Sequence, residues 1–295
     1  MKKIICIILC AGLVFCSTKS HFAAAEKTAG PRLSTWVWNT PLIKTEQNQL
    51  ITFFKSKGVS TVYLQINRDV PTVYYAEFIE LAGQSSIEVF ALEGSASWLN
   101  AENKRKELFF SWLNKYQQSA SNAQKFAGIH LDIEPYSLKE WKSEYQNTVK
   151  KYQDTVSTAK EEANLLGLPL TMDIPFWFDE RTYTNNVYGK GILSEWVTKV
   201  ADGITLMAYR DSLEGNNGLK KLVQNELSFA AKTGKKTEIA LETKPLANQD
   251  YLTFYEEGNK ALMKTISQLN KYYSTNKGFQ GTAVHSYEYW QKLRK

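Results

Sequence analysis

The chain has 295 residues, and its 36 lysine and arginine residues against 30 aspartate and glutamate residues give a formal net charge of +6. An excess of positive charge that is so mild and so evenly spread argues against a nucleic-acid-binding protein. All three cysteines, Cys6, Cys10 and Cys16, lie near the amino terminus, so the rest of the chain can form no disulfide, thiol nucleophile or thiolate metal site.

The first 25 residues have the pattern of a secretory signal peptide. Lys2 and Lys3 precede an apolar run over residues 4–15, and Ala23–Ala25 provide the small residues of a cleavage site. The apolar run is too short to span a bilayer as an ordinary helix. We therefore predict cleavage after Ala25, export from the cell, and a mature chain with a net charge of +3 and no stable membrane insertion.

Attachment to the cell envelope as a lipoprotein is the alternative for this leader. It would use Cys16, but Phe15 is bulky where such signals carry a small residue. The main prediction is a secreted, extracellular protein, with residues 26–33 forming a short flexible arm and residues 34–295 forming one domain. No composition shift, low-complexity segment or Pro/Gly linker divides that domain, which is long enough to bury a large core.

Apolar segments with β-strand character alternate with amphipathic segments along the whole domain. The amphipathic segments repeat their apolar residues every three to four positions, which is typical of surface helices. The eight predicted strands are Thr35–Asn39, Thr61–Asn67, Glu88–Glu93, Gly128–Glu134, Leu170–Phe176, Gly203–Tyr209, Thr237–Glu242 and Thr282–Tyr287. The predicted helices are Thr45–Lys57, Val73–Ala82, Lys104–Lys125, Leu138–Leu166, Ile192–Lys199, Leu219–Lys232 and Tyr255–Tyr273.

Strict alternation of strands and helices predicts a parallel sheet covered by helices. Eight such units in about 270 residues favour the α/β class and a closed (β/α)8 barrel, the TIM-barrel fold. An open doubly wound sheet would carry a phosphate-binding G-x-G-x-x-G after an early strand, and the sequence has none. The barrel places functional residues at the carboxyl ends of its strands and in the loops that follow.

The fourth predicted strand has three polar residues on one face. His130, Asp132 and Glu134 alternate with isoleucine and leucine, and Pro135 follows. Because side chains alternate between the faces of a strand, the three polar groups share one side. They would be costly in a dry core unless paired. We therefore expect this face to line a site, with Glu134 at the strand's carboxyl end.

Other predicted strand ends carry acidic and aromatic residues. Asp173 on the fifth strand and Glu242 on the seventh are candidates for a second catalytic carboxylate. Carboxylates surrounded by aromatic rings suit a sugar, whose C–H faces stack on the rings and whose glycosidic bond is cleaved with a carboxylic acid. The predicted substrate-binding residues are Trp36, Trp38, Asn67, His130, Trp177, Met207, His285, Tyr287 and Trp290.

Two of these strands resemble motifs of family-18 glycoside hydrolases, the chitinase and N-acetylglucosaminidase barrels. Positions 127–134 read A-G-I-H-L-D-I-E, where the family carries D-G-x-D-x-D-x-E. The glycine, the third aspartate and the glutamate match, whereas Ala127 and His130 replace the first two aspartates. Positions 207–211 read M-A-Y-R-D, which is similar to the family's M-x-Y-D with one residue inserted.

The resemblance implies a TIM barrel that acts on an N-acetylhexosamine-containing glycan of the chitin or peptidoglycan type. Glu134 would be the general acid that protonates the glycosidic oxygen. Asp132 would orient the 2-acetamido group, which acts as an internal nucleophile, and Tyr209 would hydrogen-bond the same group. His130 would replace part of the proton relay of the missing aspartates, since imidazole titrates near neutral pH.

Three alternatives stay open at the level of sequence. A retaining or inverting glycosidase would pair Glu134 with a second carboxylate such as Glu242. A carbohydrate-binding protein on the same barrel would have lost turnover. A metal-dependent hydrolase would use His130, Asp132 and His285 as ligands, although the sequence has no H-x-H or H-E-x-x-H motif. The main prediction is a monomeric glycosidase that uses neither a metal nor another cofactor and has a carbohydrate polymer or oligosaccharide as its partner.

Overall fold

The structure is a computed structural model that describes residues Gly30–Lys295. The predicted signal peptide and residues 26–29 of the predicted arm lie outside the described residues. None of the helices between Gly30 and Lys295 has the length and apolar character that a membrane crossing requires.

Eight parallel strands close into a barrel with helices between them, so the predicted TIM-barrel fold is confirmed. From Gly30 onward the strands are β1 (Arg32–Val37), β2 (Thr61–Gln65), β3 (Glu88–Glu93), β4 (Gly128–Asp132), β5 (Leu170–Pro175), β6 (Thr182–Asn185), β7 (Gly189–Ile192), β8 (Gly203–Met207), β9 (Lys236–Glu242) and β10 (Phe279–His285). Around the barrel they follow the order β1-β10-β9-β8-β5-β4-β3-β2, and β6 and β7 form a separate antiparallel hairpin.

The helices cover the outside of the barrel and coincide with the predicted amphipathic segments. They are α1 (Leu42–Thr45), α2 (Gln47–Lys57), α3 (Thr72–Gln84), α4 (Arg105–Ser119), α5 (Glu140–Ser143), α6 (Tyr145–Leu166), α7 (Leu193–Val200), α8 (Leu219–Leu222), α9 (Gln224–Thr233), α10 (Gly258–Tyr272) and α11 (Tyr287–Trp290). The longest, α6, ends at Gly167, whose left-handed φ of +67° suits glycine. Short breaks divide two predicted helices into α5 and α6 and into α8 and α9, whereas α1 precedes the predicted helix Thr45–Lys57 and α11 was not predicted.

Strand β1 begins at Arg32, two residues before the predicted start of the domain. The guanidinium of Arg32 lies 3.1 Å from a carboxylate oxygen of Glu88 and 3.7 Å from one of Glu238. These acidic partners let a charged residue begin a barrel strand. Because arginine lacks the apolar character used for the prediction, the predicted strand Thr35–Asn39 begins three residues later than β1.

The hairpin of β6 and β7 was not predicted. Its strands have four residues each, and Gly189 and Gly191 interrupt the second one. Segments so short and polar carry no clear alternation of apolar residues. The hairpin follows a 3₁₀ turn over Phe176–Glu180 and leads into α7.

The polar and apolar faces of β4 point as the sequence predicts. Ile129 and Leu131 are buried in the large cluster between barrel and helices, whereas His130 stacks on Tyr63 inside the barrel at a centroid distance of 3.6 Å. The barrel interior is filled by a second hydrophobic cluster of Trp36, Tyr63, Phe90, Leu92, Ala240 and Ala283. The interior is therefore a packed core, and the polar groups lie on top of it at the carboxyl ends of the strands.

Candidate active site

Two carboxyl groups stand side by side at the carboxyl ends of β4 and β5. Asp132 pairs with Asp173 in the register of these strands. Burial, then the charges of Asp173 and Glu134, raise the pKa of Asp132 well above its ordinary value, against an opposite effect of His285. Burial also raises the pKa of Asp173. The pair therefore holds a proton at pH values where separate aspartates would both be ionised.

Beneath this pair, His130 connects Asp173 to the barrel wall. Its Nδ1 lies 2.7 Å from the hydroxyl of Thr171, which itself donates to the carbonyl oxygen of Ile129 at 3.2 Å. The hydroxyl therefore accepts the Nδ1 proton, which leaves a lone pair on Nε2. That atom lies 3.0 Å from Oδ2 of Asp173, and Trp36 donates its indole N–H to the same oxygen at 3.1 Å.

The imidazole of His130 is neutral in this environment. Its ring is fully buried, and burial lowers its pKa to about 3. A neutral ring with a lone pair on Nε2 fits a protonated Asp173 better than an ionised one. The contacts and the pKa shifts therefore both favour a proton on Asp173.

Glu134 lies just beyond β4 and is partly exposed. Its Oε1 accepts a hydrogen bond from the hydroxyl of Tyr136. Burial, followed by the negative charge of Glu134, raises the pKa of Tyr136, so the phenol keeps the proton that it donates. Glu134 forms no ion pair with any residue between Gly30 and Lys295. A carboxyl group so placed is accessible to a ligand at the barrel mouth.

The loop after β3 is packed against the backbone that carries these acids. Gly94 has a φ of +146°, and a Cβ atom there would lie 2.2 Å from the carbonyl oxygen of Asp132. Only glycine combines that conformation with so close an approach. Gly94 therefore helps to fix the position from which the Asp132 side chain projects.

On the opposite side of the barrel mouth, Glu242 and His285 form a second pair. Oε2 of Glu242 lies 2.9 Å from Nδ1 of His285. Oε1 accepts the backbone N–H groups of Thr243 and Lys244 at 2.7 and 2.8 Å. Both carboxylate oxygens of Glu242 are thus occupied by hydrogen-bond partners.

His285 in turn holds Trp38, whose indole N–H donates to Nε2 at 3.0 Å. Burial alone would lower the pKa of His285, but the hydrogen bond and charge of Glu242 outweigh it, so the pKa is raised. The bond from Trp38 needs the lone pair of the neutral ring, so it is broken when His285 takes up a second proton. The orientation of Trp38 is therefore coupled to the charge of His285.

Tyr209 projects from the end of β8 towards both pairs. Burial and the charges of Glu242, Asp173 and Asp132 raise its pKa, so its hydroxyl remains a donor. Its ring lies 5.9 Å from that of His285. Tyr209 thus lies close to Asp132 and Asp173 as well as to His285.

Four predicted substrate-binding residues are buried, and we correct their roles. Trp36 and His130 are 1% and 0% exposed in the barrel interior, and Tyr287 and Trp290 are 0% and 1% exposed. The last two pack edge-on against Phe53 at 5.2 and 5.3 Å. A ring that is covered on both faces cannot stack on a sugar, so the first two support Asp173 and the last two belong to the core.

The other predicted binding residues reach the barrel mouth. Trp38, Trp177 and Met207 are partly exposed at strand ends. Trp177 packs edge-on against Tyr136 at 5.0 Å and so borders Glu134. Asn67 lies farther out, where it lines a polar cavity together with Trp38.

The two barrel histidines do not converge with the acids into a ligand set. No three histidine, cysteine, aspartate or glutamate side chains among Gly30–Lys295 are arranged to hold a metal ion. The nitrogens of His130 face Thr171 and Asp173, and those of His285 face Glu242 and Trp38. The contacts of both imidazoles are therefore structural.

Comparison with known proteins relates this barrel to glycoside hydrolases through structure. No protein-family model and no curated protein matches the sequence. The class V chitinase of Pseudomonas fluorescens Pf-5 is 14% identical, with a TM-score of 0.52 over 88% of this chain and 96% of that chain. The chitinase of Chromobacterium violaceum ATCC 12472 is 11% identical, with a TM-score of 0.51 over 88% and 97%.

A third solved structure is the PgaB (BpsB) glycoside hydrolase domain of Bordetella bronchiseptica. It is 12% identical, with a TM-score of 0.51 over 90% of this chain and 96% of that domain. The fold is therefore that of chitinases and related glycoside hydrolases, and the expectation from the fourth-strand motif is confirmed at the level of fold. At such identities the comparison carries no residue role to this chain.

Proposed function

We propose that the protein is an exported glycoside hydrolase that cleaves N-acetylhexosamine-containing glycans, with Glu134 as its general acid. One observation carries the proposal: Glu134 is partly exposed just beyond β4, close to the partly exposed Asp132 and the buried Asp173, and the pKa values of both aspartates are raised. The signal-peptide pattern of the leader supports export.

In the proposed reaction, Glu134 gives its proton to the glycosidic oxygen as the C–O bond breaks. The carbonyl oxygen of the substrate's 2-acetamido group attacks the anomeric carbon and forms a cyclic intermediate. Asp132 accepts the acetamide N–H, and the hydroxyl of Tyr209 donates to the acetamide carbonyl. Glu134, now a carboxylate, takes a proton from the water that opens the intermediate.

Asp173 is a positioning residue in this scheme. It supplies, from the neighbouring strand, the second carboxyl group that position 130 lacks. With Asp173 protonated and contacting Nε2 of His130, Asp132 can carry the negative charge that holds the acetamide. The buried histidine thus supports the carboxyl pair and does not itself accept the substrate's proton.

The surroundings of Glu242 favour the acetamido group over Glu242 as the nucleophile. Both of its oxygens are engaged by His285 and by two backbone N–H groups. A nucleophilic carboxylate must present a free oxygen to the anomeric carbon. We therefore assign Glu242 the task of orienting His285 and, through it, Trp38.

Hydrolysis of chitotetraose and of chromogenic N-acetylglucosaminides by the purified protein tests the proposal. We expect turnover by the wild type, none by Glu134→Gln, and wild-type rates for Glu161→Gln, which removes an exposed carboxylate from α6. Binding of chitotetraose without turnover by the wild type would instead establish a carbohydrate-binding protein. Absence of both binding and turnover would overturn the proposed substrate class.

A further inference from the structure

The polar cavity that Asn67 and Trp38 line opens at the carboxyl ends of β1 and β2. Its volume is about 510 Å³, within the usual range for a ligand site. The lining combines two guanidinium groups, three side-chain amides and one indole, which come from Arg68, Arg105, Asn39, Gln65, Asn67 and Trp38. Such a set of donors is suited to an oxyanion with neighbouring hydroxyl groups.

The two guanidinium groups are available to a ligand. Arg68 approaches Glu93 only to 3.9 Å, beyond hydrogen-bond distance, and the other oxygen of Glu93 accepts the N–H of Gly94 at 2.7 Å. Burial raises the pKa of Glu93, which weakens its charge as a partner. Arg105 forms no ion pair within the part of the chain from Gly30 to Lys295.

One acidic side chain, Asp69, also lines the cavity. The charged lining therefore comprises two cations and one anion, and a net positive charge remains. Arginine presents a planar pair of N–H donors that matches a carboxylate in a bidentate geometry. Asp69 is accordingly a side chain whose removal should strengthen anion binding.

The cavity adjoins the proposed catalytic cluster through Trp38. This residue lines the cavity and donates to His285, whose ring lies 5.9 Å from that of Tyr209. A glycan that extends from the cluster towards β1 and β2 would place its neighbouring sugar in the cavity. The cavity is therefore placed to bind a second sugar of the same glycan chain.

We propose that this cavity binds the carboxylate of an acidic sugar, so that the substrate is an anionic glycan in which N-acetylhexosamine alternates with a carboxyl-bearing residue. The inference rests on the proposed function for the location of the cleaved bond. The carboxylate can belong to a lactyl ether, as in muramic acid, or to a uronic acid. Arg105 and Arg68 bind it, and Asp69 limits its affinity.

Calorimetric titration of the Glu134→Gln protein measures binding without interference from hydrolysis. The probes are chitotetraose, a tetrasaccharide of alternating N-acetylglucosamine and N-acetylmuramic acid, and a hyaluronan tetrasaccharide. We expect at least one acidic tetrasaccharide to bind about tenfold tighter than chitotetraose at low salt. The tighter of the two identifies the source of the carboxylate, and equal affinity for all three would overturn the inference.

Variants in the same background locate the effect. Arg105→Gln and Arg68→Gln should each weaken the binding of the acidic glycan about tenfold and leave the affinity for chitotetraose unchanged. Asp69→Asn should strengthen the binding of the acidic glycan about threefold. Lys115→Gln, which removes a charge from the exposed side of α4, is the control and should change nothing. Equal weakening of neutral and acidic ligands by Arg105→Gln would overturn the assignment.

Turnover by the protein with Glu134 intact separates the two proposals. If acidic glycans bind through Arg105 but no glycan is cleaved, the proposed acidic-sugar site is supported and the proposed hydrolase activity is wrong. If neutral and acidic glycans are cleaved equally and the arginine variants behave as wild type, the hydrolase stands and the cavity assignment fails.

Discussion

The two sides of the barrel mouth use the same chemical groups in opposite ways. On the β4–β5 side, a buried histidine lies against a carboxyl group and has its pKa lowered to about 3. On the β9–β10 side, His285 lies against a carboxyl group and has its pKa raised. Both rings pack edge-on against Trp36, at 5.8 and 5.4 Å, so the shared aromatic neighbour does not cause the difference.

The difference comes from the balance between burial and the carboxyl groups. Burial is the largest cause of the lowered pKa of His130. At His285 the hydrogen bond and the charge of Glu242 outweigh the effect of burial. Whether a buried histidine has a raised or a lowered pKa thus depends on how strongly an adjacent carboxyl group opposes its desolvation. We assign proton chemistry to the first side and positioning to the second.

The largest expected effect is on kcat, and it should differ between substitutions of the two glutamates, Glu134 on the first side and Glu242 on the second. Glu134→Gln removes the proposed general acid and should lower kcat by about 10²–10⁴-fold. Glu242→Gln leaves that acid in place and loosens only His285 and Trp38, so we expect a loss of about tenfold that falls mainly on KM. Steady-state kinetics on chitotetraose measure both, and a greater loss of kcat in the Glu242 variant would reverse the assignment of roles.

Asp173→Asn tests the proton-holding pair itself. The amide cannot accept or release the shared proton, so the ionisation of Asp132 becomes easier and its pKa falls towards the ordinary value. We expect kcat to fall about 10- to 100-fold and the pH–rate profile to lose a group with a raised pKa. Asp154→Asn, on α6, is the control. A pH profile identical to that of the wild type would show that the Asp132–Asp173 pair does not hold a proton that affects turnover.

Tyr136→Phe removes the hydroxyl that donates to Glu134 and keeps the ring that contacts Trp177. We expect kcat to fall about three- to tenfold, which corresponds to the loss of one hydrogen bond that positions the Glu134 carboxyl group, with little change in the melting temperature. Tyr145→Phe, which alters a phenol on α6, is the matched control. An equal loss in both variants would mean that the Tyr136 bond does not position Glu134.

The smallest expected effect is a pair of opposite pH dependences of stability. The pKa of His130 is lower in the folded state than in the unfolded state. The contribution of this neutral, buried ring to the free energy of unfolding is therefore complete above about pH 6.5 and is lost as the pH falls towards about 3. The folded pKa of His285 is raised, so its contribution is complete below about pH 6.5 and is lost as the pH rises through the folded pKa.

Thermal unfolding across pH, with each variant compared to wild type, measures these contributions. The loss of stability caused by His130→Gln should become smaller as the pH falls. The loss of stability caused by His285→Gln should become smaller as the pH rises. The expected result is the opposite direction of the two changes with pH. A difference from wild type that shrinks in the same direction of pH for both variants would contradict the comparison.

Much of the barrel could be predicted, because central parallel strands are buried on both faces and appear in sequence as short apolar runs. All eight barrel strands were identified this way, and the alternation in β4 placed His130, Asp132 and Glu134 on the inward face. Alternation reports the face of a strand but not the depth along the barrel axis. For that reason the burial of His130 and Trp36 was not foreseen.

The rest of the site depends on loops that periodicity does not describe. Tyr136 bonds Glu134 because Pro135–Ser137 forms a 3₁₀ turn. Arg68 and Arg105 meet at one cavity although they follow different strands. Tyr287 and Trp290 lie beyond a strand end, yet α11 returns them to the core. A Glu-Pro-Tyr sequence directly after a strand was the one signal that could have indicated the Tyr136 contact.

The most direct test of the account follows the anomeric proton of newly released sugar by NMR during cleavage of chitotetraose and of the acidic tetrasaccharides. Cleavage through the acetamido group with Glu134 as acid predicts that the first product keeps the β configuration, and that Glu134→Gln releases none. A first product of inverted configuration, or undiminished release by Glu134→Gln, would contradict it.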